Sequence, residues 1–334
     1  MQSAPPESSG KRSLQSTPPE SGPPVSSVPP PPSDGSLLWR LGGNLLTVRP
    51  HQWVKNVFVL APIVFAKEIF APLLITRAVS AFAIFCLLAG AVYAINDVLD
   101  VEADRMHPVK RARPIASGRV PISFAKGLAV ALVLLALGWA AASGSVEFLA
   151  VAASYFVLNL AYSVKLKHVA YLDVGCIAAG FVMRVMGGGF ATYVYVSKYL
   201  LLCTALLALF LGFGKRRHEL AAAAGKAVLQ RAALESYSKR GLDLALGATA
   251  VTTILTYVVY TLDSDTRRFF KTDWLWVSSV FVMLGVGRFL QLVSSRPKSE
   301  SPTHEMLKDG PFVAIVLLWV ALVMWVVYHL RPSG

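Results

Sequence analysis

Asp97, Asp100 and Asp104 follow one another at spacings of three and four residues, with Asn96 directly before them. On a helix this spacing sets all three carboxylates on one face. They stand where an apolar run from Ser80 to Ile95 ends. Three carboxylates on one stripe repel each other unless a cation lies between them. Oxygen ligands at this density suit Mg²⁺, which keeps several waters and bridges to substrate phosphates. Ordinary charges on a solvated helix end would give the same spacing. The closeness of Asn96 and Asp97 to the apolar run argues against that, because acids at membrane depth are costly and usually functional.

A basic run comes next, from Arg105 to Gly118, and it contains Lys110, Arg111 and Arg113. Bases directly after a carboxylate cluster fit a magnesium–diphosphate site. The metal bridges phosphate oxygens while Lys and Arg hold the remaining charge. A loop obeying the positive-inside rule would also be basic. Ala116-Ser117-Gly118-Arg119 reads as a turn before the next apolar stretch.

The elements that must position these groups are membrane helices. Of 334 residues, 55% are hydrophobic and 15% charged, and the mean hydropathy is +0.55. Soluble domains carry nearer a quarter charged residues, about 25%. The net charge of +13 would point to nucleic acid in a soluble protein. Here most bases lie in loops, so membrane topology, anionic headgroups or a phosphorylated substrate account for it, and nucleic acid is excluded. Cys86, Cys176 and Cys203 lie in apolar stretches without pairing or zinc spacing, and the six histidines are scattered. Residues 1–36 are rich in Pro and Ser and lack an apolar signal core, so a disordered tail is expected there.

Nine candidate spans follow, near 54–70, 77–99, 122–142, 146–163, 170–189, 197–214, 241–262, 273–293 and 311–330. With the N-terminus in the cytoplasm, 23 of the 32 Lys and Arg fall on the cytoplasmic side and 7 on the other. That bias predicts a multi-pass protein of the inner (cytoplasmic) membrane with the aspartates facing the cytoplasm. Gly187-Gly188-Gly189 lacks the Lys-Ser/Thr of a phosphate loop and reads as close packing or a helix end. Small residues in the spans permit a homo-oligomer without specifying one.

Asn-Asp-x-x-Asp-x-x-x-Asp at 96–104, followed by His-Pro-x-Lys-Arg-x-Arg-Pro-Ile-Ala-x-Gly at 107–118, resembles the UbiA-type intramembrane prenyltransferase superfamily. Further motifs narrow the match: Arg49-Pro50-His51-Gln52-Trp53-Val54-Lys55-Asn56, Tyr162 to His168, Arg184 to Gly189, Ser197-Lys198, Gly214-Lys215-Arg216 and Leu234-Glu235-Ser236-Tyr237. As a set these look like its decaprenyl-phosphate phosphoribosyltransferase branch. The resemblance implies an all-α membrane protein of about nine transmembrane helices, with residues 37–334 as the catalytic domain. Its central cavity would open to the cytoplasm and laterally to lipid. It also implies Mg²⁺ and a reaction in which phosphoribosyl diphosphate gives its phosphoribosyl group to a polyprenyl phosphate, toward arabinan and cell-wall precursors.

The superfamily's prenyltransferases usually carry a second aspartate-rich motif after the fourth span. In this chain that region offers only Asp173, near Tyr162, Lys165 and Lys167. Fewer acids and more bases suit an acceptor that is itself a lipid phosphate. The expected roles are these. Asn96, Asp97, Asp100 and Asp104 bind the metal. Lys110, Arg111 and Arg113 hold diphosphate. Tyr162 and Lys167 contact phosphate or ribose. Lys55 and Asn56 line the mouth of the site. Arg184 faces the cavity or forms an interhelix ion pair with Asp173. Lys215 and Arg216 bind the 5-phosphate or a headgroup, or anchor the helix at the interface; Lys165 is the weakest candidate. Two other readings compete: a prenyltransferase with a prenyl diphosphate and an aromatic acceptor, and a transporter for an anionic solute. The missing second acidic motif opposes the first. A carboxylate triad beside a basic run opposes the second, and no inverted repeat is apparent.

Overall fold

A computed structural model of the chain describes residues 37–223, 236–295, 306 and 308–328. The expected N-terminal tail, 1–36, lies outside them, as do Leu234 and Glu235. The described elements are helical, and eight of the helices are long and apolar enough to cross a membrane. In chain order the elements are α1 (Leu37–Val48), a 3₁₀ segment (Pro50–Leu60), α2 (Ala61–Phe65), α3 (Pro72–Leu99) and α4 (Val101–Met106). After a short 3₁₀ turn (Lys110–Ala112) come α5 (Ile122–Ala142) and α6 (Val146–Val164), then a second turn (Leu166–His168) and α7 (Leu172–Thr192). The rest are α8 (Lys198–Ala223), α9 (Lys239–Leu262), α10 (Ser264–Phe270), α11 (Ser278–Ser295) and α12 (Gly310–Tyr328).

The span expected over 54–70 is redrawn. It becomes the 3₁₀ segment followed by the short α2, and the chain leaves helix after Phe65. Local chemistry explains the break. Val54, Val57 and Val59 are stiff, β-branched and poor in helix propensity. Pro62 has no N–H to give to the preceding turn, so a continuous helix through it would lose a bond and clash. The other eight expected spans each coincide with one of the long helices.

In lipid, helices associate by close packing rather than by burying apolar surface from water. The glycine run supplies that packing. A Cβ on Gly188 would fall 1.9 Å from the Val59 carbonyl oxygen, and one on Gly187 2.6 Å from the Phe85 ring. The 3₁₀ segment is therefore seated directly on the α7 backbone, as the close-packing reading of the run requires. More than half of α3 and of α7 is buried, against a third or less of the other six long helices. These two form the centre, and Phe85 meets Tyr155 edge-on at 5.0 Å beside them. A second core joins α8, α9 and α11 through Phe210, Leu242 and Phe289. The C-terminal ends of α3, α6 and α8 and the N-terminal ends of α7 and α9 share one end of the bundle. The aspartates lie there.

Candidate active site

α3 and α4 are two pieces of one helical path, jointed at Asp100 (φ −93°, ψ 7°). The backbone N–H of Asp100 still donates to Asn96 O at 2.9 Å, and that of Asp104 to Asp100 O at 2.8 Å. The helical spacing thus survives the joint, and the acids stay on one face. Asp97 and Asp104 are 2% exposed, whereas the Asp100 side chain is 34% exposed.

Buried carboxylates need partners, and three bases from three other elements supply them. Arg49, before the 3₁₀ segment, donates to Asp97 Oδ1 at 2.5 Å. Arg113, on the loop after α4, donates through Nη1 to Asp97 Oδ1 at 3.1 Å and to Asp104 Oδ2 at 2.6 Å. Lys167, on the turn before α7, donates to both Asp100 oxygens at 3.1 Å and to Asn96 Oδ1 at 3.4 Å. Asn96 Nδ2 closes the set on Asp100 Oδ2 at 3.1 Å.

These contacts fit the donor set a hard divalent cation needs. Two carboxylates about two helical turns apart, those of Asp97 and Asp104, converge on the single point where Arg113 Nη1 sits. All donors there are oxygens. Among the described residues no three His, Cys, Asp or Glu side chains make a closed metal cage. Mg²⁺ does not need one, since it retains waters and completes its shell with phosphate oxygens.

Arg49 was legible as part of a motif but not as a member of the site. It takes left-handed backbone angles (φ 51°, ψ 65°) directly before Pro50, and its guanidinium lies 5.0 Å from the Tyr93 ring. A non-glycine residue there costs about 1–3 kcal/mol and persists only where its surroundings hold it. The ion pair to Asp97 and the stacking on Tyr93 do so. An arginine before a proline was the available signal.

Arg184 sits in the middle of α7 and is 8% exposed. It donates to Asn56 Oδ1 at 2.7 Å, Tyr155 Oη at 2.6 Å and Gly180 O at 2.9 Å. No carboxylate pairs with it among the described residues. The alternative pairing with Asp173 does not occur, because Asp173 is engaged elsewhere. It accepts from Arg216 Nε at 2.7 Å and from the Tyr237 hydroxyl. Arg216 also pairs with Glu219 and is only 2% exposed. Arg216 is thus already committed to ion pairs within the protein, whereas the expected partner was a substrate phosphate, a headgroup or the interface. Tyr237 and Glu219 were not foreseen as its partners.

Lys55 is exposed on the 3₁₀ segment, outside the eight long helices, and has no carboxylate partner among the described residues. The protein around its ammonium, and then the cations of Lys215, Arg184 and Arg49, hold its pKa down to about 8. Lys215 lies 3.9 Å from Glu219. Tyr162 is half-buried and near enough to Arg216 to interact electrostatically. Lys110 and Arg111 are exposed on their turn, which His107 Nδ1 braces by accepting from the N–H groups of Val109 and Lys110, both at 3.2 Å. Lys165 is exposed at the end of α6.

A cavity of about 1290 Å³ opens from the other end of the bundle. It starts at the ends of α7, α8 and α9 opposite the aspartates and reaches inward to Phe58, Phe210 and Phe289. Its wall is mostly apolar and aromatic. Phe58 stands two residues beyond Asn56, so the 3₁₀ segment has the cation cluster on one stretch and the cavity wall on the next.

A model of the UbiA prenyltransferase family matches residues 57–303. A decaprenyl-phosphate phosphoribosyltransferase of Corynebacterium glutamicum is 34% identical over 289 residues, covering 86% of this chain and 87% of that protein. One from Mycobacterium tuberculosis is 34% identical over 298 residues, covering 85% and 93%. Among solved structures, a UbiA homolog from Archaeoglobus fulgidus bound to DMAPP and Mg²⁺ superposes with a TM-score of 0.61 at 19% identity, covering 86% of this chain and all of that one. The last likeness concerns the fold alone.

Proposed function

The chain belongs to the UbiA prenyltransferase family and is a multi-pass membrane transferase; from that premise we propose that it moves a 5-phosphoribosyl group from phosphoribosyl diphosphate to a polyprenyl phosphate. The bond from ribose C1 to the diphosphate oxygen breaks, a bond from C1 to a lipid phosphate oxygen forms, and diphosphate leaves. The product is a polyprenyl-phosphoryl-5-phosphoribose.

One observation carries this reading: the charges at the aspartate end divide into two unlike halves. In one half, three carboxylates meet three bases that ligands can displace. In the other, Lys55 and Arg184 lack carboxylate partners among the described residues, and Asp173 is paired with Arg216 and Tyr237. Among the described residues the acids of the second half, Asp173 and Glu219, are already paired with Arg216 and Lys215, while Lys55 and Arg184 are cations without a carboxylate. A phosphate-headed acceptor suits it, whereas an aromatic acceptor would leave those cations unmatched.

Asn96, Asp97, Asp100 and Asp104 would hold Mg²⁺, which supplies charge neutralisation for the departing diphosphate. Arg49 and Arg113 exchange carboxylate oxygens for diphosphate oxygens as the donor arrives, and Lys110 and Arg111 on the exposed turn hold its outer charge. Lys167 and Tyr162 contact the ribose or its phosphate. Lys55, Asn56, Arg184 and Lys215 receive the lipid phosphate, and the cavity takes isoprenoid carbon. The acceptor is already an anion, so no strong general base is needed. Catalysis is then positioning and electrostatic stabilisation in a site screened from water. The basic bias of the loops supports an active site facing the cytoplasm across the inner membrane.

The test is direct. Purified protein is incubated with Mg²⁺, labelled phosphoribosyl diphosphate and a polyprenyl phosphate, and the lipid phase is counted. Label in the lipid phase is expected. Its absence, with consumption of a prenyl diphosphate instead, would replace this reading with prenyl transfer.

A further inference from the structure

Between the turn that carries Lys167 and the start of α7 stands a residue in backbone angles that a bulky side chain does not adopt freely. Tyr171 has φ 66° and ψ −40°, just before the first turn of α7. Such angles are strained for an aromatic residue, and an observed outlier of this kind is a reason to look for a function. Tyr171 is not left to relax. Its backbone N–H donates to the Tyr237 hydroxyl at 2.7 Å. Its ring lies 4.8 Å from that of Tyr237, tilted by 56°, and 6.1 Å from that of Phe213. The Tyr237 hydroxyl in turn donates to Asp173 Oδ1, while Arg216 holds Asp173 Oδ2. Asp173 and Tyr237 are 0% and 5% exposed. Gly241, in the first turn of α9, leaves room for the Tyr171 hydroxyl, which would lie 2.4 Å from a Cβ there.

Four residues before Tyr171, Lys167 is 9% exposed and reaches Asp100 and Asn96. Only His168, which closes the 3₁₀ turn Leu166–His168, Val169 and Ala170 lie between them. We infer that Tyr237 is a positioning residue for Lys167: through Asp173 and the strained Tyr171 it fixes the turn so that the Lys167 ammonium meets Asp100. Asp173 is here a strut between Tyr237 and Arg216, and what the strut holds in place is a cation for the donor. This rests on the role given to Lys167 above.

The Tyr237→Phe variant removes the hydroxyl and keeps the ring. Amine-reactive labelling of the ligand-free protein, read by mass spectrometry, should then show Lys167 modified several-fold faster, with other lysines unchanged. In the ribosyl-transfer assay, kcat per folded enzyme should fall between about tenfold and a hundredfold, the scale of a small misplacement. Tyr171→Gly in that background should recover much of the lost kcat, because glycine takes a positive φ without steric cost. A purely structural role for Tyr237 would lower the unfolding temperature without either effect. Unchanged Lys167 labelling, or no recovery by Tyr171→Gly, would overturn the inference. Lys167→Ala run in parallel separates the two readings. If Lys167→Ala retains full activity, the role of Lys167 itself is lost; if it is inactive while Tyr237→Phe is normal, only the positioning falls.

Discussion

Two buried acids at the same end of the bundle meet arginines in very different ways. Asp97 is paired with Arg49 and Arg113, whose side chains are 21% and 26% exposed. Asp173 is paired with Arg216, whose side chain is 2% exposed. Both pairs satisfy the rule that a buried charge needs a partner. Only the first pair can trade it, because its arginines reach solvent and can swing to an arriving anion. The second is fixed by packing on all sides. On the proposed function, accessibility of the partner, more than the presence of an acid, separates a ligand-binding carboxylate from a structural one.

The sharpest way to break this comparison is to remove the exchangeable acids. Asp97→Ala or Asp104→Ala should lower ribosyl transfer by at least about 10²–10³-fold, the scale of losing one electrostatic stabiliser. The unfolding temperature should move little beside that. Full activity in either variant would remove the metal assignment.

Asp173→Ala should show the opposite profile. It strands the sealed Arg216 charge, for a loss of about 3–5 kcal/mol in stability, followed by thermal unfolding in detergent. A double variant, Asp173→Leu with Arg216→Met, should regain much of that stability. If Asp173→Ala instead left stability intact and abolished metal-dependent turnover, Asp173 would join the exchangeable group.

Arg113→Gln tests the trade itself. The variant should bind Mn²⁺ at least as tightly as the parent in the absence of substrate, since a competing cation is gone. Its KM for phosphoribosyl diphosphate should rise about tenfold or more, as expected for a lost charge-assisted contact of about 1.5–3 kcal/mol. Weaker Mn²⁺ binding with an unchanged KM would reverse the roles.

The smallest effect concerns pH. With its pKa held at about 8, Lys55 is mostly protonated at pH 7 and loses its charge as pH rises through 8. Affinity for the polyprenyl phosphate should therefore fall across that window, and Lys55→Gln should flatten the profile at a higher KM.

Much of the site was legible because it is local. The acid stripe, the bases after it and the glycine run lie within single stretches, where spacing alone sets the face. The fates of Arg184 and Arg216 were not, since a motif tells that an arginine is intramembrane but not which helix will face it. The Arg216–Asp173 pair spans 43 residues and the Arg184–Asn56 bond 128, so both depend on how the helices pack. Arg49 and Tyr171 owe their roles to positive φ, which side-chain identity does not announce. The break in the first expected span could be suspected from Pro62. The 3₁₀ path of Pro50–Leu60 follows from the bare α7 backbone at Gly188, a tertiary fact.

That last contact bears on the order in which the protein is made. The 3₁₀ segment with Lys55 and Asn56 leaves the ribosome early. Its seat at Gly187 and Gly188 and its partner Arg184 are translated well over a hundred residues later. Until α7 enters the bilayer, the segment can rest only on α3, where Asn56 Nδ2 meets Cys86 Sγ at 3.2 Å, and it lacks its seat at Gly188 and its bond to Arg184. The reaction centre is thus completed late in synthesis, when α7 arrives and the first segment folds back onto it.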